Sequence, residues 1–182
     1  IKKLTPKQIE KAFFPNFEID SETINKIKKL NFFYKDLELQ KKTLLKNFKN
    51  KINSKNFWKS GSDKINKWND GWSYNLNLLK TGNKILPSLI PFYYKKDVIL
   101  VINGKIIQPI SKLFEFKLFG IYRDFIFKKY LSDKTNIYEF GCGPLHNLVI
   151  LKKKFKNKNI CGFDWSNPSV KISRYLKKYF DL

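Results

Sequence analysis

Two short apolar runs alternate with two helical patterns at the end of the chain, and this order constrains the fold more than any other feature. Residues 136–140 predict a strand that ends in the glycine turn 141–143, and residues 145–155 follow it with helical spacing. Residues 159–163 predict a second strand, and residues 167–176 predict a second helix. This order joins parallel strands through a right-handed crossover. We therefore expect an α/β fold with a Rossmann-like parallel sheet that is truncated after its second strand, so that the chain is a fragment.

The region before this sheet is predicted to be mostly helical. Thr5 followed by Pro6 is typical of a helix N-terminus, and a second helix begins at Asp20 or Ser21. A third amphipathic run is expected to turn its lysines toward water and its apolar side chains toward a core: Leu37, Leu44, Leu45 and Phe48. We interpret residues 1–111 as a mostly helical N-terminal extension.

A β-hairpin and a long helix lie at the junction with the next region. Residues 98–107 place β-branched runs on both sides of Asn103-Gly104, which is typical of a two-residue hairpin turn. Residues 112–131 predict a helix that is apolar nearly all round, and we expect it to be well buried. We place a domain boundary after residue 111, so that residues 112–182 begin the Rossmann-like domain.

Tryptophans are concentrated just before the hairpin. Trp58, Trp68 and Trp72 lie within fifteen positions of one another. Packing in a core is the favoured interpretation, and stacking on a sugar or a base stays open as the alternative.

The residues that carry chemistry lie where the two predicted strands end. Ligands of parallel sheets bind at the carboxyl ends of the strands, where Glu139, the turn 141–143 and Asp164 fall. Glycines allow the backbone to approach a ligand closely. Asp164 follows the turn at about the spacing of an acidic residue that accepts hydrogen bonds from ribose hydroxyls. The sequence therefore predicts a nucleoside-binding site at this edge of the sheet.

The charges of this site favour a cationic ligand over a phosphate. The dinucleotide pattern G-x-G-x-x-G fails here, because His146 occupies its last glycine position. Pro144 lacks the amide N–H that a phosphate would need, and Glu139 would repel a phosphate. S-adenosylmethionine carries a sulfonium and an ammonium group but no phosphate, and we expect it to be the ligand.

Two segments resemble motifs of a known enzyme family. Glu139-Phe-Gly-Cys-Gly143 resembles the first motif of class I S-adenosylmethionine-dependent methyltransferases, and Gly162-Phe-Asp-Trp-Ser166 resembles their second-strand acidic motif. Leu145 departs from the family, which often has a third glycine at this position. Trp68–Leu79, the hairpin and Phe114–Leu131 also resemble an N-terminal extension of some bacterial members.

The resemblance implies roles for individual residues. Gly141 and Gly143 would line the methionine and ribose of the cofactor. Glu139 would help to hold the amino acid end, and Asp164 would hold the ribose hydroxyls. The implied cofactor-binding residues are Glu139, Phe140, Gly141, Cys142, Gly143, Asp164 and Trp165.

The implied activity is methyl transfer to an acceptor that we expect to be a small molecule or a glycan. No catalytic residue is assigned, and we expect the fragment to be inactive by itself. Two other classes stay open: a nucleic-acid-binding or RNA-modifying protein, and a nucleotide-binding Rossmann-like protein without methyl transfer. Nothing in the sequence predicts the oligomeric state.

The net charge of +22 raises the question of a polyanionic partner. All but two of the 37 basic residues are Lys, the exceptions being Arg123 and Arg174. Phosphate-reading sites favour the Arg fork, whereas Lys, Asn, Ile, Phe and Tyr share A/T-rich codons. Codon bias is therefore the favoured explanation, and nucleic-acid binding stays open without being favoured.

Cysteine, histidine and apolar content limit the remaining classes. Two cysteines and one histidine cannot build a His/Cys zinc site, so no metal is predicted. We expect Cys142 and Cys161 to be reduced, Cys142 to be a small packing residue, and His146 to be solvated. No apolar run is long enough to span a membrane, and we expect a cytoplasmic protein.

Overall fold

The structure is a computed structural model, and it describes residues 1–30, 33–54, 65–82, 84–95, 99–111 and 113–180. Three positions used in the predictions lie outside these residues: Trp58, Val98 and Lys112. The described chain combines α-helices with one antiparallel sheet and one parallel pair of strands, which confirms the α/β class. In this part of the chain, no helix is both long enough and apolar enough to cross a membrane.

The helices and strands are numbered in chain order. The α-helices are α1 (Pro6–Phe13), α2 (Ser21–Lys29), α3 (Lys41–Ile52), α4 (Ile65–Thr81), α5 (Ile85–Ser88), α6 (Phe114–Leu131), α7 (His146–Lys154) and α8 (Asn167–Leu176). The strands are β1 (Lys2–Lys3), β2 (Phe33–Asp36), β3 (Leu100–Ile102), β4 (Lys105–Pro109), β5 (Asn136–Phe140) and β6 (Asn159–Phe163). Short 3-10 helices lie at Glu38–Gln40 and Phe92–Lys95.

The chain divides into two compact units. One comprises Ile1–Trp58 with Lys95–Ile126, and the other comprises Lys59–Tyr94 with Phe127–Leu182. Each unit is built from two segments that are separated in the sequence, whereas the prediction placed a single boundary after residue 111. This grouping arises because side chains of α4 share a core with β5 and β6.

The first two helices of the first unit each begin at a residue whose side chain caps the helix. Thr5 Oγ1 accepts a hydrogen bond from Gln8 N, and Gln8 Oε1 accepts one from Thr5 N at 2.9 Å, so the two residues form a capping box. Asp20 caps α2 by accepting from Thr23 N at 2.7 Å. Both predicted helix starts are confirmed.

The first unit contains more sheet than predicted. Its antiparallel strands follow the order β1-β2-β4-β3. The hairpin of β3 and β4 is confirmed, since Asn103 and Gly104 adopt φ values of +50° and +74° between the paired residues Ile102 and Lys105. The mostly helical description missed β1 and β2, because two and four residues with charged members are too short to give a period-two pattern.

Two predictions about burial in the helices were wrong. Leu37 is buried as expected, but Leu45 and Phe48 of α3 are 52% and 56% exposed, and no residue of α3 is buried. Helix α6 buries one face through Phe114, Leu118, Ile121 and Phe125, while Phe119 and Tyr130 are exposed. Helix α6 thus has apolar residues on every face, but only one of these faces is buried.

The second unit is built on the parallel pair β5–β6, whose predicted limits are confirmed. Ile137 lies opposite Ile160, and Glu139 lies opposite Gly162. Helix α7 connects the strands, and α8 follows β6 and contacts α4. The core contains apolar side chains from α4, α7, α8 and both strands: Leu76, Leu79, Ile137, Leu148, Val149, Ile160, Ile172 and Leu176. Of the described residues, none forms a third strand of this sheet.

Candidate functional site

The glycine turn after β5 is attached to the end of β6 by backbone hydrogen bonds. Gly141 N and Cys142 N both donate to Phe163 O, at 2.7 and 3.2 Å. Gly141 and Gly143 adopt φ values of +72° and +52°, which L-residues with a Cβ disfavour. The two glycines therefore allow the chain to fold back over the neighbouring strand.

Asp164 holds two loops together. Its Oδ2 atom accepts from Gly143 N at 2.8 Å, and its Oδ1 atom accepts from Ser166 N at 2.8 Å. The carboxylate thus links the glycine turn to the N-cap of α8, where Ser166 accepts from Ser169 N. Because each carboxylate oxygen has a second lone pair, Asp164 retains capacity to accept hydrogen bonds from a ligand.

The amides of this turn are already used within the protein. Those of Gly141, Cys142 and Gly143 donate as just described, and Leu145 N donates to Cys142 O at 3.0 Å. Pro144 has no amide N–H. Phosphate sites in such turns depend on several backbone N–H groups that point at the ligand. The segment 141–145 therefore lacks the donors of a phosphate cradle.

Glu139 lies next to the turn and is oriented by a residue that sequence reasoning missed. Asn147 Nδ2, in the first turn of α7, donates to Glu139 Oε1 at 2.6 Å. Both side chains are partly buried. The sequence contained a sign of this pair: Glu139 lies near the end of β5 and Asn147 in the first turn of α7, so the glycine turn between them brings both residues to the same edge of the sheet.

Leu145 is held in a left-handed backbone conformation at the N-cap of α7, with φ +63° and ψ +14°. This conformation costs a residue with a Cβ about 1–2 kcal/mol relative to glycine. The side chain is only 2% exposed and belongs to the core of the second unit. Burial of a Leu contributes about 1.5–3 kcal/mol, which offsets the strain. The position thus keeps the backbone conformation typical of glycine although Leu occupies it.

Trp72 of α4 covers the glycine turn. A Cβ added at Gly143 would lie 2.9 Å from the Trp72 ring, so glycine is needed here for close packing. Trp72 is 7% exposed and lies among aromatic rings of Trp68, Phe92 and Tyr93, with centroid distances of 5.5, 5.5 and 6.3 Å. Packing in a core is therefore the correct interpretation for Trp72.

A cavity of about 670 Å³ opens beside the turn. Its size falls within the range of small-molecule sites, which is about 300–1,000 Å³. Phe140 and Trp165 present exposed rings there, with 79% and 57% of their surfaces accessible. The lining comes from the strand ends, α7 and α8: Phe140, Gly141, Cys142, Leu145, Leu148, Cys161, Gly162, Phe163, Asp164, Trp165, Ser169, Val170, Ser173 and Lys177.

The site carries two negatively charged carboxylates, although the chain as a whole has a net charge of +22. Burial raises the pKa of the Cys142 thiol, the carboxylates of Asp164 and Glu139 raise it further, and together these effects bring the pKa to about 12. The thiol therefore stays protonated and is a poor nucleophile at neutral pH.

His146 is 8% exposed, so the expectation that it is solvated was wrong.

The structure brings the predicted site residues to one edge of the parallel pair. Phe140, Gly141, Cys142, Asp164 and Trp165 line the cavity. The remaining two, Glu139 and Gly143, lie in the adjoining strand and turn. Both cysteines are free, and no group of three or more potential metal ligands occurs among the described side chains. Comparison with protein-family models, curated proteins and solved structures gave no match to this chain.

Proposed function

We propose that the parallel pair is part of a Rossmann-like sheet that binds S-adenosylmethionine, and that the protein transfers its methyl group to an acceptor. One observation carries this proposal. The amides of the glycine turn are consumed within the protein, while two carboxylates stand at the same strand ends. A glycine turn whose own amides are already paired, next to two acidic groups, suits a cationic nucleoside better than a phosphorylated one.

The charge distribution supports a cationic ligand. Burial is the main cause of the raised pKa of the Cys142 thiol, and the nearby carboxylates of Asp164 and Glu139 add to it because they create a negative potential at this position. A sulfonium or ammonium group would be stabilised by this potential, and a pyrophosphate would be repelled. Lys177 is a basic residue in the cavity lining, and it follows the last turn of α8.

The residues present fit the groups of the proposed cofactor. Asp164 has lone pairs available for the ribose hydroxyls, and Glu139 suits the ammonium of the amino acid end. The glycine at 141 leaves open space, since an added Cβ there would meet no atom within 4 Å. Phe140 and Trp165 offer apolar ring surface. The bound cofactor would supply an activated methyl group on sulfur, and the protein would orient it.

A nucleotide-binding protein without methyl transfer is the competing proposal for the same cavity. Calorimetry with S-adenosylmethionine, its demethylated product and NAD separates the two. We expect binding of the first two, with Asp164→Ala weakening both by about 10- to 150-fold, or about 1.5–3 kcal/mol for a charge-assisted hydrogen bond. Asp133→Ala removes an exposed carboxylate of the same unit and serves as the matched control.

A second variant is needed because Asp164 also holds the turn. Glu139→Gln keeps the size of the side chain and removes its charge, and the amide oxygen can still accept from Asn147, so this variant should weaken binding while leaving the thermal unfolding midpoint nearly unchanged. Tight binding of NAD without binding of S-adenosylmethionine would refute the proposal. Unchanged affinity in both variants would show that neither carboxylate contributes to ligand binding. The acceptor is expected to be a small molecule or a glycan, and this chain by itself is expected to transfer no methyl group, so turnover of any acceptor in an assay with labelled cofactor would contradict the second expectation.

A further inference from the structure

Helix α3 of the first unit presents an unusual combination of exposed apolar and basic side chains. None of its residues is buried, and Leu45 and Phe48 are more than half exposed. From this arrangement we propose that α3 docks in the plane of an anionic membrane surface. This inference does not depend on the ligand of the second unit.

The apolar side chains of α3 form one stripe. At 100° per residue, Leu44, Leu45, Phe48 and Ile52 fall within a sector about 100° wide. Such a sector normally faces a core, yet Leu44 and Ile52 are only partly buried and the other two are exposed. Among the described elements, the main contact of α3 is with the short helix at Glu38–Gln40 that precedes it.

Four of the five lysines of α3 lie outside this stripe and flank it on both sides, whereas Lys41, at the first position of the helix, falls within the same sector. Lys51 borders one edge, and Lys42 and Lys49 border the other, with Lys46 farther round. The far side of the helix carries uncharged polar residues: Thr43, Asn47 and Asn50. No acidic residue occurs within 41–52, and Glu38 is 3.5 Å from the amino group of Lys41 just before the helix.

This pattern matches the requirements of a membrane interface. An interfacial helix buries its apolar stripe at the boundary between headgroups and acyl chains, while flanking lysines extend their charged ends to the headgroups. Anionic lipids complement the five lysines of α3, which have no acidic neighbour within the helix. A nucleic acid would use the lysines but leave Leu45 and Phe48 in water, and the helix contains no Arg.

Co-sedimentation with vesicles tests the proposal. The protein should bind vesicles of phosphatidylcholine with phosphatidylserine and bind pure phosphatidylcholine weakly. Lys42→Gln with Lys49→Gln should lower partitioning by roughly 25-fold, or about fivefold per lysine. Leu45→Ser with Phe48→Ser should lower it by about tenfold or more while leaving the lysines in place.

Matched controls separate α3 from the general positive charge of the chain. Lys28→Gln with Lys29→Gln removes the same charge from exposed positions on α2, and Val101→Ser removes an exposed apolar side chain from β3. Both should leave partitioning within about twofold of the unmodified protein, and circular dichroism should be unchanged in every variant. Equal losses in the controls, no binding to anionic vesicles, or no effect of the Leu45 and Phe48 changes would each overturn the proposal. It would also be overturned if the lysine variant lost binding to single-stranded RNA instead.

Discussion

The packing of Trp72 against Gly143 gives the sharpest prediction about stability. An alanine Cβ at Gly143 would lie 2.9 and 3.2 Å from two atoms of the indole ring. Trp72 cannot easily move away, because it is buried and packed against Trp68 and Phe92. Gly143→Ala should therefore destabilise the second unit through both steric overlap and backbone strain.

The magnitude can be worked out from these two contributions. The left-handed backbone costs an alanine about 1–2 kcal/mol, and overpacking a well-packed site costs about 1–3 kcal/mol. Gly143→Ala should thus lower the free energy of unfolding by about 2–5 kcal/mol. Gly141→Ala provides the matched control, since φ is also positive there but an added Cβ meets nothing within 4 Å. It should cost about 1–2 kcal/mol.

Urea unfolding followed by tryptophan fluorescence measures this difference, because Trp68, Trp72 and Trp165 all belong to the second unit. A double variant tests the cause: Trp72→Phe combined with Gly143→Ala should show a favourable coupling of about 0.5–3 kcal/mol. If Gly143→Ala costs no more than Gly141→Ala, the close contact between the turn and the indole does not exist. If the two changes show no coupling, the destabilisation by Gly143→Ala does not arise from its contact with Trp72.

Three further predictions concern buried groups of the second unit. Because the pKa of the Cys142 thiol is raised to about 12, unfolding should become easier above about pH 9, by about 1.4 kcal/mol per pH unit; Cys142→Ala should lack this contribution in pH-dependent urea titrations. Asn75 is fully buried and donates to Ser88 O and Ile90 O at 2.7 Å, so Asn75→Ala should cost about 2–4 kcal/mol in the same assay, and a cost below 1 kcal/mol would contradict those hydrogen bonds. Leu145→Gly should relieve about 1–2 kcal/mol of strain but lose about 3–5 kcal/mol of packing, and net stabilisation would show that the site is loosely packed.

Much of the second unit was predictable from local signals. The limits of β5 and β6, the turn between β5 and α7, and the position of Asp164 follow from short apolar runs, from the helical patterns after them and from glycine spacing. Local signals did not reveal how this aspartate is used, because its partners Gly143 N and Ser166 N come from two different loops. The participation of α4 was also missed, since a contact between Trp72 and Gly143 spans more than seventy residues.

The first unit was less predictable because its pairing is non-local. Strand β2 pairs with β4 across about seventy residues, and neither β1 nor β2 is long enough to show a period of its own. The burial of α3 was predicted from amphipathicity, which shows that a helix has an apolar face but not that a partner covers it. Leu45 and Phe48 are the residues at which this inference failed.

The closed hydrogen bonding of the glycine turn has a consequence for how a ligand would bind. The amides of Gly141, Cys142 and Gly143 should exchange slowly with deuterated solvent before any ligand arrives, because each already donates to a protein acceptor. Little of the interaction energy would then be lost to ordering this segment. Tighter or altered binding would then be reached by replacing the exposed rings of Phe140 and Trp165, because none of the amides of the turn donates to either residue.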